Sequence, residues 1–155
     1  LAALELDPAF GDIREDYAAF LARTGRGDEA LGEYRRAVEL DPASPLPRLR
    51  LAAALARNGD LEEAAAQYRR VLEDDPSRIG VRNDLGAVLG RMGRYDQAAA
   101  EYGRILAADP GNPGAHYNLG LILGARGEGA AAREHLERAH RARPDLFPAP
   151  PSGGE

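Results

Sequence analysis

Cysteine, lysine and tryptophan are absent from the 155 residues, and methionine occurs once. Without cysteine there are no disulfides and no thiolate metal ligands. All 20 basic residues are therefore arginine, against 25 acidic ones, for a net charge of -5. That balance argues against a nucleic-acid partner, which calls for a basic domain or stripe. No apolar run approaches the roughly 18 residues of a membrane-spanning helix. The start, LAALELDP, lacks the basic segment and long apolar core of a signal peptide. Hydroxyl nucleophiles are scarce too: Thr24, Ser44, Ser77 and Ser152 are the full set. An arginine-only, alanine- and glycine-rich composition fits a bacterial protein from a high-GC genome.

What is present is a period. Prolines stand at Pro8, Pro42, Pro76, Pro110 and Pro144, each 34 residues after the last. Glycines keep the same step at Gly25, Gly59, Gly93 and Gly127, alanines at Ala30, Ala64, Ala98 and Ala132, and leucines at Leu21, Leu55, Leu89 and Leu123. A copied supersecondary unit implies a stacked array. We divide it into repeat 1 (11–44), repeat 2 (45–78), repeat 3 (79–112) and repeat 4 (113–146), and number columns 1 to 34 within each. Columns 4, 7, 8 and 11 read Arg14-Tyr17-Ala18-Leu21, Arg48-Leu51-Ala52-Leu55, Arg82-Leu85-Gly86-Leu89 and His116-Leu119-Gly120-Leu123. That spacing is one face of a helix. The glycine at column 15 is a stop signal. Columns 20, 24, 27 and 28 form a second helical stripe, with Tyr34, Tyr68 and Tyr102 in column 24. Asp28 and Asp96 precede it as expected N-caps, and proline ends it. Each repeat is thus expected to be a helix, a short turn and an antiparallel helix. The small residues of columns 8 and 20 let the two backbones approach.

The period and the Leu-Gly-Tyr-Ala-Pro signature resemble the tetratricopeptide repeat. The resemblance covers residues 11–146. It implies an all-α fold, an α-solenoid of antiparallel helix pairs wound as a right-handed superhelix, whose concave face is lined by first helices. One departure is consistent: where the family often has Trp at column 4, this chain has Arg14, Arg48, Arg82 and His116. Another is Ala18 and Ala52 in place of Gly.

The two ends differ. Residues 1–10 match the end of a second helix from a preceding repeat, so the N-terminus reads as a cut through a longer array, with an open end available for self-association. Repeat 4 replaces the aliphatic column 28 with His140 and the column 24 tyrosine with Leu136, as expected of a capping repeat. Residues 147–155, FPAPPSGGE, are expected to be disordered, although Leu146 and Phe147 could fold back on the last helix.

No constellation for catalysis emerges, and none for a metal or other cofactor. His116, His135 and His140 share repeat 4, but His135 and His140 are five apart, a poor spacing for one helical face. Arg26-Gly27-Asp28 spells an adhesion tripeptide at the place where every repeat turns, and is read as a turn. Glu62-Glu63 and Asp74-Asp75 lie on solvated faces. The remaining surface is the groove of first helices. There, column 13 carries Arg23, Arg57 and Arg91, joined by Arg50 at column 6. Arginine forks onto carboxylates and phosphates. Asn83, Tyr117 and Asn118 lie among small residues, and an amide that both donates and accepts can hold a peptide backbone. The expected function is a non-catalytic protein-interaction scaffold that binds a peptide with acidic groups through Arg23, Arg50, Arg57, Asn83, Arg91, Tyr117 and Asn118. The same arginines could instead pair internally with Asp12, Glu15, Asp16 or Asp84. A regulatory or substrate-recruiting segment of a larger bacterial enzyme, of the glycosyltransferase or sulfatase type, is the alternative.

Overall fold

The computed structural model describes residues 8–150, with side chains from residue 13 onward. Eight α-helices follow in order among them: α1 (Pro8–Arg23), α2 (Gly27–Leu40), α3 (Pro45–Asn58), α4 (Leu61–Asp74), α5 (Ile79–Arg91), α6 (Tyr95–Ala108), α7 (Pro113–Ala125) and α8 (Gly129–Ala142). Each repeat holds one pair. No helix among the described residues is long and apolar enough to cross a membrane. Residues 1–7 of the expected remnant helix, with Leu1, Leu4 and Leu6, lie outside the described residues. Residues 8–10, assigned by the repeat phase to that remnant, instead extend α1, which starts on Pro8. Proline suits a first helical position, because its missing N–H would have no partner there. Of the tail, residues 151–155 also lie outside the described residues.

The turn between paired helices is the same in all four repeats. Gly25, Gly59, Gly93 and Gly127 adopt φ of +82°, +98°, +72° and +85°, a region costly to residues with a Cβ. The next residue's N–H reaches back to the column 11 carbonyl: Arg26 to Leu21, Asp60 to Leu55, Arg94 to Leu89 and Glu128 to Leu123, at 2.9–3.0 Å. This is the closing bond of a Schellman motif. The carbonyl of that same residue accepts from the column 20 N–H: Ala30, Ala64, Ala98 and Ala132, at 2.9–3.0 Å. One residue therefore ends the first helix and begins the second. Its side chain makes no capping bond, so column 16 is free to read Arg, Asp, Arg and Glu. This corrects the N-cap assignment of Asp28 and Asp96. Both lie inside the first turn of α2 and α6, where their charge faces the positive helix end without closing a cap. Side-chain caps occur instead on first helices. Ser44 accepts from the Leu46 N–H and Asn112 from the Ala115 N–H, each followed by a proline.

The chain forms two compact halves that divide between Val81 and Arg82. In the N-terminal half α1 packs on α2, α3 on α4, and α3 also seats on α2 and α1. Its core comprises Ala18, Leu21, Ala30, Leu31, Tyr34, Ala37, Leu51, Ala52, Leu55, Ala64, Tyr68 and Val71. In the C-terminal half α7 packs on α8 and on α6, with Leu85, Leu89, Ala98, Tyr102, Ile105, Leu119, Leu123, Ala132 and Ala139 buried. Most of the expected stripe residues are among these, but Tyr17 is exposed and Val38 and Leu106 are half-buried. Column 8 has no room for a larger side chain beside column 24 in repeats 3 and 4. A Cβ on Gly86 would stand 2.8 Å from the Tyr102 ring, and one on Gly120 would stand 2.8 Å from Leu136.

A second device crosses each pair. The column 4 side chain bonds the column 23 side chain, 19 residues on. Arg14 donates to Glu33 at 2.8 Å, Arg48 to Gln67 at 3.1 Å, and Arg82 to Glu101 at 2.7 Å. His116 meets His135 with their Nδ1 atoms 2.8 Å apart. Arg104 also reaches Glu101. The residues that replace the family's frequent tryptophan thus link the two helices through polar bonds.

Two substitutions test the turn against ordinary helix propensity. Gly59→Ala should lose about 1–2 kcal/mol because φ is positive there. Gly32→Ala, mid-helix in α2 with open space around its Cβ direction, should gain roughly 0.5–1 kcal/mol. Thermal and urea melts of the two variants check both signs.

Candidate functional site

The N-terminal half carries a cavity of about 520 Å³ lined by Ala19, Ala22, Arg23, Tyr34, Arg50, Ala53 and Arg57. Periodicity builds it. Columns 9 and 12 place Ala19, Ala22 and Ala53 on the faces of α1 and α3, and their small side chains leave the space open. Tyr34, in column 24 of α2, is buried and closes one wall. Arg23 and Arg57 sit in the last turns of α1 and α3, where a cation is favoured by the helix dipole. Arg50 enters one turn into α3.

The three arginines are in different states. Arg50 Nε lies 2.6 Å from Glu15 Oε2, and Glu15 is itself buried. A buried carboxylate held by a guanidinium is well fixed, and removing either partner would leave an uncompensated charge. Arg23 and Arg57 are exposed, and among the described residues neither makes an ion pair or hydrogen bond to an acid. The internal pairing open to column 13 is therefore taken by column 6 instead: Glu15 goes to Arg50. The cavity thus holds two guanidinium groups with no acidic partner among the described residues.

The remaining expected site residues lie in the C-terminal half. Asn118 donates to Asn83 at 2.8 Å, so these two amides bond each other. Beside Asn83, burial pushes the Asp84 carboxyl up, opposed by the Asn83 amide. Burial and then the Asp84 charge push the Tyr102 hydroxyl up to about 12. Tyr117 stacks on Phe147, with ring centroids 4.9 Å apart. Arg91 is exposed in the last turn of α5. The structure thus gathers Arg23, Arg50 and Arg57 at one cavity, pairs Asn83 with Asn118, and covers Tyr117 with the tail.

The histidines form a feature that the sequence reading missed. His116 Nε2 lies 3.0 Å from the Pro110 carbonyl, which can only accept, so that nitrogen carries the proton. When both rings are neutral, His116 Nδ1 then accepts from His135 Nδ1–H. Burial, the neighbouring His116 and Arg138 hold His135 below its ordinary 6.5, with Glu134 opposing. The signal was in the columns: position 4 and position 23 change to histidine together.

These positions sit in a recognisable sequence family. Tetratricopeptide repeat sequences match residues 1–45 and 83–146, and a second set with the same description matches residues 25–83. The chain belongs to the tetratricopeptide repeat family. A search among curated proteins found no match. Among solved structures, the tetratricopeptide repeat chain resembles MamA, residue 41 to the end, from Desulfovibrio magneticus RS-1. That match has 25% identity and a TM-score of 0.77 over 86% of this chain and 76% of that one. PilF of Pseudomonas aeruginosa matches at 24% identity and a TM-score of 0.72, over 87% of this chain and 62% of that one. A tetratricopeptide repeat protein from Parabacteroides merdae ATCC 43184 matches at 19% identity and a TM-score of 0.77, over 87% and 54%. The family and the all-α solenoid fold place this chain among protein-interaction repeat scaffolds.

The histidine pair makes a prediction with a definite sign. The folded pKa of His135 is depressed, so neutral His135 contributes stability that is present above about pH 6.5 and lost as pH falls through the lowered folded value. The melting temperature should fall between pH 7.5 and 5. Replacing the pair by the Arg–Glu of repeats 1 and 3 (His116→Arg with His135→Glu) should flatten that slope. The raised Asp84 carboxyl works in the opposite sense at lower pH, so the window stays above 5. Melts across the pH series of both proteins give the comparison.

Proposed function

We propose that this chain is a non-catalytic scaffold that binds a peptide segment along its first helices, and that the anchor is the arginine cavity of the N-terminal half. The observation that carries the reading is the state of Arg23 and Arg57: two guanidinium groups at one cavity, neither paired with an acid among the described residues, in a chain whose net charge is negative. A carboxylate of the partner supplies what they lack, since each guanidinium can fork onto two oxygens. Arg50, tied to buried Glu15, stands as a fixed wall and spends its charge internally. The alanines at Ala19, Ala22 and Ala53 give a bound backbone room. In the C-terminal half, taken by itself, Asn83, Asn118 and Arg91 offer polar contacts to a peptide, with Asn83 and Asn118 holding each other in place.

The affinity of an acidic eight-residue peptide, measured by fluorescence anisotropy, tests the anchor. The pair Arg23→Gln with Arg57→Gln should weaken binding by about tenfold or more, equal to ~1.4 kcal/mol, and reduce its dependence on salt. Arg70→Gln, on α4 and paired with Glu73, should leave it unchanged. Equal affinity for all three proteins would remove the arginines from the site.

A further inference from the structure

A guanidinium recognises more than charge, because its fork needs an edge of two oxygens. The cavity of the N-terminal half presents two such forks. Arg23 and Arg57 stand in the same column on α1 and α3, and both line the cavity. α3 seats on α1, and packed helices lie roughly 8–10 Å apart between axes. Two arginine side chains at that separation can reach one bound group. Arg57 also borders a second hollow of about 220 Å³, lined with it by Ala22, Gly25, Leu31 and Ala54. It therefore meets open space on two sides.

The rest of the lining adds no acid. Arg50 is tied to Glu15, and no carboxylate lines the cavity. Tyr34 is buried in the wall, and its hydroxyl has no hydrogen-bond partner among the described residues. The side chains that face this space thus offer two forks and one hydroxyl able to donate. A carboxylate does not match that set. Its two oxygens form a single edge, so one fork is met side-on and the other is not. A phosphate monoester has three terminal oxygens, hence three edges. The C-terminal ends of α1 and α3 disfavour an anion of either kind, so the number of edges decides between them.

We propose that the arginine cavity recognises a phosphorylated side chain of its peptide partner. Arg23 and Arg57 each fork onto a different oxygen–oxygen edge of the phosphate, and the Tyr34 hydroxyl donates to a terminal oxygen. Ala19, Ala22 and Ala53 leave room for the peptide backbone that carries the ester. This rests on the peptide site proposed above and names the chemistry of its ligand.

Fluorescence anisotropy with three eight-residue peptides, alike except for a central phosphoserine, glutamate or serine, tests it. The phosphoserine peptide should bind about tenfold or more tightly than the glutamate peptide, because it meets both forks. Arg23→Lys and Arg57→Lys keep each charge but lose the fork. Each should weaken phosphoserine binding by about fivefold and narrow the gap to glutamate. Both arginines are exposed, and circular dichroism checks that the variants stay folded. Inorganic phosphate, added as a competitor, should be needed at about tenfold or more the concentration of unlabelled phosphopeptide, since it lacks the backbone contacts. Equal affinity for the phosphoserine and glutamate peptides, with both weakened by Arg23→Gln and Arg57→Gln together, would overturn the phosphate reading and leave the acidic-peptide anchor standing. Binding of neither peptide weakened by that double change would overturn both. Inorganic phosphate competing as well as the phosphopeptide would make this a free-phosphate site and overturn the proposal.

Discussion

The backbone of the column 16 residue belongs to two helices at once. Its N–H closes the first and its carbonyl opens the second, and the left-handed glycine before it makes both bonds reachable. Everything that distinguishes the helix pair follows from this shared residue. It fixes the antiparallel register, so column 8 always faces column 24 and column 4 always faces column 23. Gly86 can then meet the Tyr102 ring, and Arg14, Arg48, Arg82 and His116 each find a partner 19 residues away. Because the backbone does the capping, the column 16 side chain is not needed as a cap.

The same register decides where charge goes. Glu33 and Glu101 are drawn to the column 4 arginines, and Glu15 is drawn under Arg50. Three carboxylates are thereby engaged within the fold. Arg23 and Arg57 are what remains on the rim of the first-half cavity. A protein of net charge -5 thus presents a cavity lined by three arginines, of which one is engaged by a buried carboxylate.

The helix pairs were legible because their determinants are local. Leucine at columns 7 and 11, alanine at column 20, glycine at column 15 and proline at column 32 each report a backbone or packing need within one turn of chain. The N-cap assignment of Asp28 and Asp96 failed for a local reason as well: the Schellman turn supplies the cap from the backbone, and the aspartates stand two residues past the cap residues Arg26 and Arg94. Long-range pairing was less visible. Asn83 with Asn118 and Arg50 with Glu15 depend on how one pair leans on the next, which column identity does not state. The column 4 to column 23 link is an intermediate case. Nothing in one repeat reveals it, but four repeats side by side read Arg–Glu, Arg–Gln, Arg–Glu and His–His, a matched change that marks contact.

That matched change carries a consequence for how such a chain can be rearranged. A first helix from repeat 4 joined to a second helix from repeat 3 would set His116 against Glu101 and leave the hydrogen bond to His135 unmade. The reverse splice would put the Arg82 guanidinium against His135, cation against donor. Whole 34-residue modules can be moved or duplicated with their internal pairings intact, whereas single helices cannot. The hairpin, not the helix, is the grain at which this sequence can be cut and shuffled.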